Sequence, residues 1–297
     1  MAEFFARRRA DPHGVANMTL VQGHRGNIFV QPENTLAGFA SAADAGADAV
    51  ELDVFMTADG AAVCFHGGGK GDAEVGDCSE LCEGEGNIQE MTLAQAQALR
   101  FKGGAFDCPA ERCAGEGVGV PTLAEALALC QQRGLGVTVE LKGAGTEQAA
   151  LDALRERGML GPGTGCSVSS FDHERVARAV ALGGGAGAVP ASLLFGSSVP
   201  PDFVARARAA GASQVDVRYD TLAPALVAEA RAAGLRIMAW FRGPCTLGQM
   251  GVDEEKEFAQ IAAMGPDVIC TNRPAALRAL LSERAVSAGG VLMSAET

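Results

Sequence analysis

The chain has 297 residues, is 48% hydrophobic and only 5% aromatic, and carries a formal net charge of −12 with a sequence pI near 4.8. Such an acidic balance excludes binding to nucleic acid or an anionic membrane through a general positive field, so an anionic ligand must be met by a local cationic site. No apolar run reaches the length of an integral membrane segment, and 297 residues are enough for two average domains or one large α/β barrel.

The opening segment, MAEFFARRRADPHG, has arginines but no apolar stretch after them, which argues against a secretory signal and for a flexible leader over 1–18 and a cytoplasmic address. The nine cysteines are odd in number and scattered, as expected of free thiols rather than a disulfide framework. Strand-like segments follow at 19–23, 49–55, 62–66, 137–142, 166–170, 191–195, 214–219, 236–241 and 267–271. Most are separated by helical stretches, four of which open alike as TLAGF, TLAQA, TLAEA and TLAPA. Thr35, Thr92, Thr122 and Thr221 are therefore predicted N-caps, Thr122 making a capping box with Glu125 and Gly134 ending that helix.

Strands alternating with helices imply parallel pairing, and about eight of them imply a closed TIM (β/α)₈ barrel rather than an open sheet. Nine candidates compete for eight places, and QVDVRY at 214–219 is the weakest of them. The link from Asp53 to His66 is too short for a helical crossover, so one of those two segments must pair unusually or return as an extended loop. After the third candidate, 67–120 reads as a long loop insertion with a short helix near Thr92 to Phe101, a length usual for a lid or substrate wall. It holds Cys78, Cys82, Cys108 and Cys113, whose spacing resembles a zinc site only weakly. The barrel is expected over 19–281, with a tail over 282–297.

Chemistry concentrates on the inner faces of two of these strands. Along DAVELDVF, Val50, Leu52 and Val54 share one face while Glu51, Asp53 and Phe55 share the other. In LGVTVELKG the apolar face is Val137, Val139 and Leu141, and the opposite one carries Thr138, Glu140 and Lys142. A strand covered by helices on its apolar side turns the acids inward, where they are costly unless a cation holds them. Three carboxylates with no thiolate among them suit one hard divalent cation, Mg²⁺ or Ca²⁺, better than zinc.

Taken in order, HRG at His24 to Gly26, PENT at Pro32 to Thr35, VELD, TADGAAVCFH ending at His66, and VELK resemble the glycerophosphodiester phosphodiesterase family over roughly residues 20 to 275. SVSSF near Phe171, MAWF with Trp240 and VICTNRP near Thr271 add weaker matches. The resemblance implies a TIM barrel, a metal on Glu51, Asp53 and Glu140, His24 and His66 as acid and base, and Arg25 and Lys142 on the phosphate. It further implies hydrolysis of a small-molecule phosphodiester to glycerol 3-phosphate and an alcohol, with Trp240 as part of the substrate wall. The sequence departs from that pattern at Gly67, where the family has aspartate after the histidine, at Phe241, Arg242 and Gly243, and at Asn272, where it has an acid. Asn34 reads equally as a helix cap or a site residue, and His13 and His173 as surface or loop histidines. Two alternatives stand beside this reading: a relative acting on lysophospholipids or cyclising its product, and a non-catalytic barrel that binds a phosphorylated ligand.

Overall fold

The computed structural model describes residues 19–67, 74–102, 117–241 and 254–293. Eight parallel strands close into a barrel: β1 (Leu20–Gly23), β2 (Ala49–Met56), β4 (Gly136–Leu141), β5 (Cys166–Ser170), β6 (Ala191–Phe195), β7 (Gln214–Arg218), β8 (Arg236–Trp240) and β9 (Val268–Thr271). Each is hydrogen-bonded to its neighbours around the ring, and β1 to β2 pairing closes it. Helices α1 (Leu36–Asp44), α3 (Leu123–Gln132), α4 (Thr146–Glu156), α5 (His173–Leu182), α6 (Phe203–Ala210), α7 (Pro224–Ala232), α8 (Glu254–Met264) and α9 (Pro274–Met293) run between and after the strands. The outward residues Val50, Leu52, Val54, Val137, Val139 and Leu141 are fully buried in the layer between barrel and helices. The residues between them, among them Glu51, Asp53, Thr138 and Glu140, point into the barrel, as the two-residue period requires. Among the described residues no helix is long and apolar enough to cross a membrane.

The segment at 214–219, least convincing in the sequence, is a full barrel strand, paired to β6 and β8. Its inner face is Gln214, Asp216 and Arg218, so it lacks the apolar density of its neighbours while still lying in a barrel wall. The surplus segment is 62–66. Ala62–Cys64 forms β3, antiparallel to β2 with Val54 opposite Cys64, outside the ring. A tight turn in which Thr57 and Ala61 bond one another makes the link; antiparallel pairing needs no crossover, which explains the short connection.

Thr35, Thr92 and Thr122 cap their helices as expected, the last two in full capping boxes. Thr221 does not. It lies in a 3₁₀ turn with its hydroxyl donating to Arg218 O, and α7 starts three residues later because Pro224, with its preset φ and missing N–H, is built for the first turn. The helix in the insertion, α2 (Leu93–Gln97), stops short of Phe101, which instead bridges to Cys82. The expected boundary at 281 falls inside α9.

The strand β2 is longer than its neighbours and overhangs the barrel mouth. Phe55, at its end, is fully buried and packs with Val63, Phe65, Cys78, Leu81, Cys82, Ile88, Phe101 and Val120 in a second small core. Burying such a ring contributes about 2–3 kcal/mol, so the insertion is seated on the same strand that carries Glu51 and Asp53. Cys78 and Cys82 are free buried thiols; Cys108 and Cys113, like His13, Arg242 and Gly243, lie outside the described residues.

Candidate active site

His24 and Arg25 follow the end of β1 at the barrel's C-terminal mouth. His24 is anchored twice to the far side of the ring seam, its backbone N–H donating to Thr271 O at 2.9 Å and its Nδ1 lying 2.8 Å from Asn272 Oδ1. Arg25 adopts a left-handed backbone with φ of 52°, rare for a side chain of this size and characteristic of functional turns. That turn lets the Arg25 N–H donate to Glu51 Oε2 at 3.1 Å while the guanidinium reaches Glu33 Oε2 at 2.9 Å and lies 3.3 Å from Asp53 Oδ2. Gly26 completes it: φ is +98° and a Cβ there would meet the backbone of Gly38 at 2.7 Å, so the triplet needs glycine last.

The parallel register of β2 on β4 sets Asp53 directly beside Glu140. Together with Glu51 they offer three carboxylate oxygens within 4.8 Å of one another, all buried. Burial, with repulsion from Asp53 and Glu140, raises the Glu51 carboxyl well above its ordinary value. Glu140 is raised by burial in the same way, against the pull of Lys142. Asp53 goes the other way: burial opposes ionisation, but Lys142, His66 and Arg25 outweigh it and hold the carboxyl well below its ordinary range. Lys142, almost fully buried, sits 2.7 Å from Glu140 Oε1 and 3.4 Å from Asp53 Oδ1. Counting Glu33, four carboxylates face two cations, Arg25 and Lys142, in one buried cluster. Glu51 Oε1 and Asp53 Oδ1 accept no hydrogen bond among the described residues. All-oxygen donors, more carboxyl groups than cationic side chains and two buried oxygens without a hydrogen bond fit a metal ion, and the acidic triad is able to hold one.

His66 stands across the cavity. Its Nδ1 lies 2.7 Å from Gly67 O, and because a carbonyl can only accept, Nδ1 carries the hydrogen and Nε2 is left with its lone pair. The missing aspartate after His66 is explained by the backbone: Gly67 has φ of +68° and a Cβ would meet Val75 O at 2.5 Å. Burial, then the nearby Arg25, pushes His24 down to about 3 and lowers His66 well below its ordinary value, which disfavours the charged form of both imidazoles.

All seven expected site residues, with Trp240, are brought together: His24, Arg25, Glu51, His66, Glu140, Lys142 and Trp240 line a cavity of about 290 Å³, and Asp53 lies fully buried just behind it. One wall is apolar and comes mainly from barrel strands, with Leu194, Met238 and Trp240 beside Phe171; the insertion adds Leu81, Glu80 and Gly67. Trp240 is held by its N–H donating to Phe195 O at 3.2 Å and by edge contact with Phe171, ring centroids 5.7 Å apart.

Sequence reasoning missed two acids and undervalued an amide. Glu33 is 1% exposed and pairs with Arg25; its place in PENT next to a helix start was the only available signal. Asn34 is no cap. It donates to Asp53 Oδ2 at 2.9 Å and accepts from the Asp53 N–H at 3.1 Å, bracketing a carboxylate of the acidic triad, while Thr35 does the capping. Glu254, at the start of α8, receives the Asn272 side-chain amide; nothing local in the sequence marks it. His173 is not a plain surface histidine either, since it is half-buried with Nε2 3.0 Å from Leu194 O and its ring against Phe195.

Residues 24–276 match the Glycerophosphoryl diester phosphodiesterase family. A glycerophosphodiester phosphodiesterase of Caldanaerobacter subterraneus subsp. tengcongensis is 34% identical over 160 residues, which is 52% of this chain and 59% of that protein; the chain thus spans little more than half the length of that relative. Among solved structures, a Silicibacter pomeroyi DSS-3 protein described as a candidate glycerophosphoryl diester phosphodiesterase is 27% identical, with 92% of this chain and 96% of that one covered at a TM-score of 0.72. An Oleispira antarctica phosphodiesterase, solved in complex with the product sn-glycerol-3-phosphate, shares the fold at 23% identity and a TM-score of 0.71, covering 89% of this chain and 97% of that one. With the barrel, the acidic triad and the paired histidines in place, the chain belongs to the glycerophosphoryl diester phosphodiesterase family.

Proposed function

We propose that the protein is a metal-dependent phosphodiesterase that hydrolyses glycerophosphodiesters to glycerol 3-phosphate and an alcohol. The observation that carries this reading is the convergence, at one barrel mouth, of an oxygen-only acidic triad, two buried cations and two histidines whose Nδ1 atoms are bonded away from the cavity. Glu51, Asp53 and Glu140 would hold a divalent cation, Mg²⁺ or Ca²⁺ by their ligand chemistry, which would supply positive charge to offset the negative charge of the phosphate. Arg25 and Lys142 grip the same phosphate, and their existing carboxylate partners hold them in place before the substrate arrives. One histidine Nε2 accepts the proton of the attacking hydroxyl or water. The other, once protonated beside the substrate's negative charge, gives a proton to the departing alkoxide.

The apolar wall of Phe171, Leu194, Met238 and Trp240 favours one second reading, a lysophospholipid as substrate. A panel separates the two: glycerophosphocholine, glycerophosphoethanolamine and lysophosphatidylcholine, with glycerol 3-phosphate and lysophosphatidate measured as products. Glycerol 3-phosphate from the first two, abolished in His24→Ala and His66→Ala, supports the main reading; turnover of the lysolipid alone replaces it with the second; activity unaffected by either histidine variant removes both.

A further inference from the structure

For His24 to act as acid or base, one ring nitrogen must face the cavity with a lone pair, and the ring alone does not decide which. His24 Nδ1 is 2.8 Å from Asn272 Oδ1, and an asparagine amide can turn over, offering either a donor or an acceptor at that point. The structure removes this freedom one step further back. Glu254 is 4% exposed and spends both carboxylate oxygens on the end of β9. Its Oε2 accepts from the Thr271 hydroxyl and, at 3.1 Å, from the Asn272 backbone N–H, while its Oε1 accepts from Asn272 Nδ2.

We infer that Glu254 is a positioning residue that acts through Asn272 to fix the tautomer of His24. An ionised carboxylate cannot donate, so the Asn272 NH₂ must face Glu254 and its Oδ1 must face His24. That oxygen cannot donate either, so His24 carries its hydrogen on Nδ1 and presents the Nε2 lone pair toward the cavity, on the side of Glu51, whose Oε2 is 3.9 Å away. The negative charge of this relay thus stands two hydrogen bonds from the imidazole instead of one, which leaves an uncharged amide in contact with His24. This rests on the proposed role of His24, but the tautomer itself is measurable without any turnover.

Glu254→Gln tests the relay with almost no change in shape. The backbone N–H of Asn272 cannot reverse, so the glutamine must keep its carbonyl there and turn its NH₂ toward the Asn272 side chain. Asn272 then flips, its own NH₂ meets His24 Nδ1, and the hydrogen of His24 moves to Nε2. Adding Asn272→Asp restores an acceptor on both sides: one carboxylate oxygen takes the glutamine NH₂ and the other takes His24 Nδ1–H. At pH 8, above the value of about 7 to which burial raises Glu254, ¹⁵N spectra of histidine-labelled protein should show His24 with a pyrrole-type Nδ1 in the parent, a pyrrole-type Nε2 in Glu254→Gln, and the parent pattern again in the double variant. Turnover should fall by about two orders of magnitude in the single variant with KM little changed, and return in the double variant. An unchanged His24 spectrum in Glu254→Gln, or a double variant no better than the single one, overturns the relay and leaves Glu254 as a structural cap on β9. His24→Ala at parental turnover, with the spectra as described, would instead remove the catalytic reading of His24 and leave the relay standing.

Discussion

Asp216 offers a prediction whose size follows from its surroundings. It is fully buried inside the barrel on β7, with Ser192 Oγ donating to Oδ2 at 2.5 Å and Gln214 Nε2 donating to Oδ1 at 2.7 Å. Burial is the largest influence and lifts the carboxyl from 3.8 to about 7, despite the opposing effects of Ser192, Gln214 and Arg236. A folded-state value above the unfolded one means that the folded protein keeps a proton that the unfolded chain releases between these two pH values. Stability therefore falls with rising pH across that window, by at most about 1.4 kcal/mol per unit and roughly 4 kcal/mol in all. Asp216→Asn cannot ionise, its Oδ1 still accepts from Gln214, and its Nδ2 can donate to a Ser192 hydroxyl that rotates to accept. Unfolding in urea at a series of pH values, with chelator present throughout, should show the variant and the parent equally stable near pH 4. By pH 8 the variant should lead by about 4 kcal/mol. A difference that stays flat from pH 4 to pH 8 would refute the reasoning and show that Asp216 is solvated or otherwise compensated in the folded barrel.

Gly67→Ala should destabilise the protein by about 1–3 kcal/mol, because it combines a positive φ with a backbone clash, and should lower turnover by displacing the carbonyl that orients His66; thermal unfolding and steady-state kinetics check both. Asn34→Ala removes both bonds that bracket Asp53, and metal affinity measured by calorimetry should fall by about 10–100-fold while the fold persists. Trp240→Ala or Leu81→Ala should change the ranking of substrates with different alcohols without altering their common dependence on Arg25, as competition kinetics over a substrate panel will show.

Much of the site was legible because it obeys the two-residue period of strands. Glu51, Asp53 and Glu140 alternate with fully buried aliphatics, and side-chain parity is the one tertiary fact that a strand sequence states outright. The same rule was a poor guide at β7, where the inward residues Gln214, Asp216 and Arg218 are polar and made a true wall strand the weakest of the nine candidates. It also counted β3 as a barrel strand, since an apolar run of that length reads alike in a ring and in a hairpin; the brevity of the link was the better guide. Thr221 failed as a cap because Pro224 dictates where its helix begins. Glu33 and Glu254 were beyond reach for a different reason: each matters only through a partner brought to it by folding, Arg25 across a tight turn and Asn272 from the next strand.

Phosphodiester cleavage should depend on a cation held by the acidic triad. The most direct test is glycerol 3-phosphate release from glycerophosphocholine by protein stripped with chelator and then titrated with Mg²⁺ or Ca²⁺, beside Glu51→Gln/Asp53→Asn treated identically. Stripping should abolish release, one of the two cations should restore it at about one equivalent per chain, and the double variant should neither bind the cation nor recover. Undiminished release from metal-free protein, or a double variant that matches the parent in both metal content and turnover, would contradict that dependence.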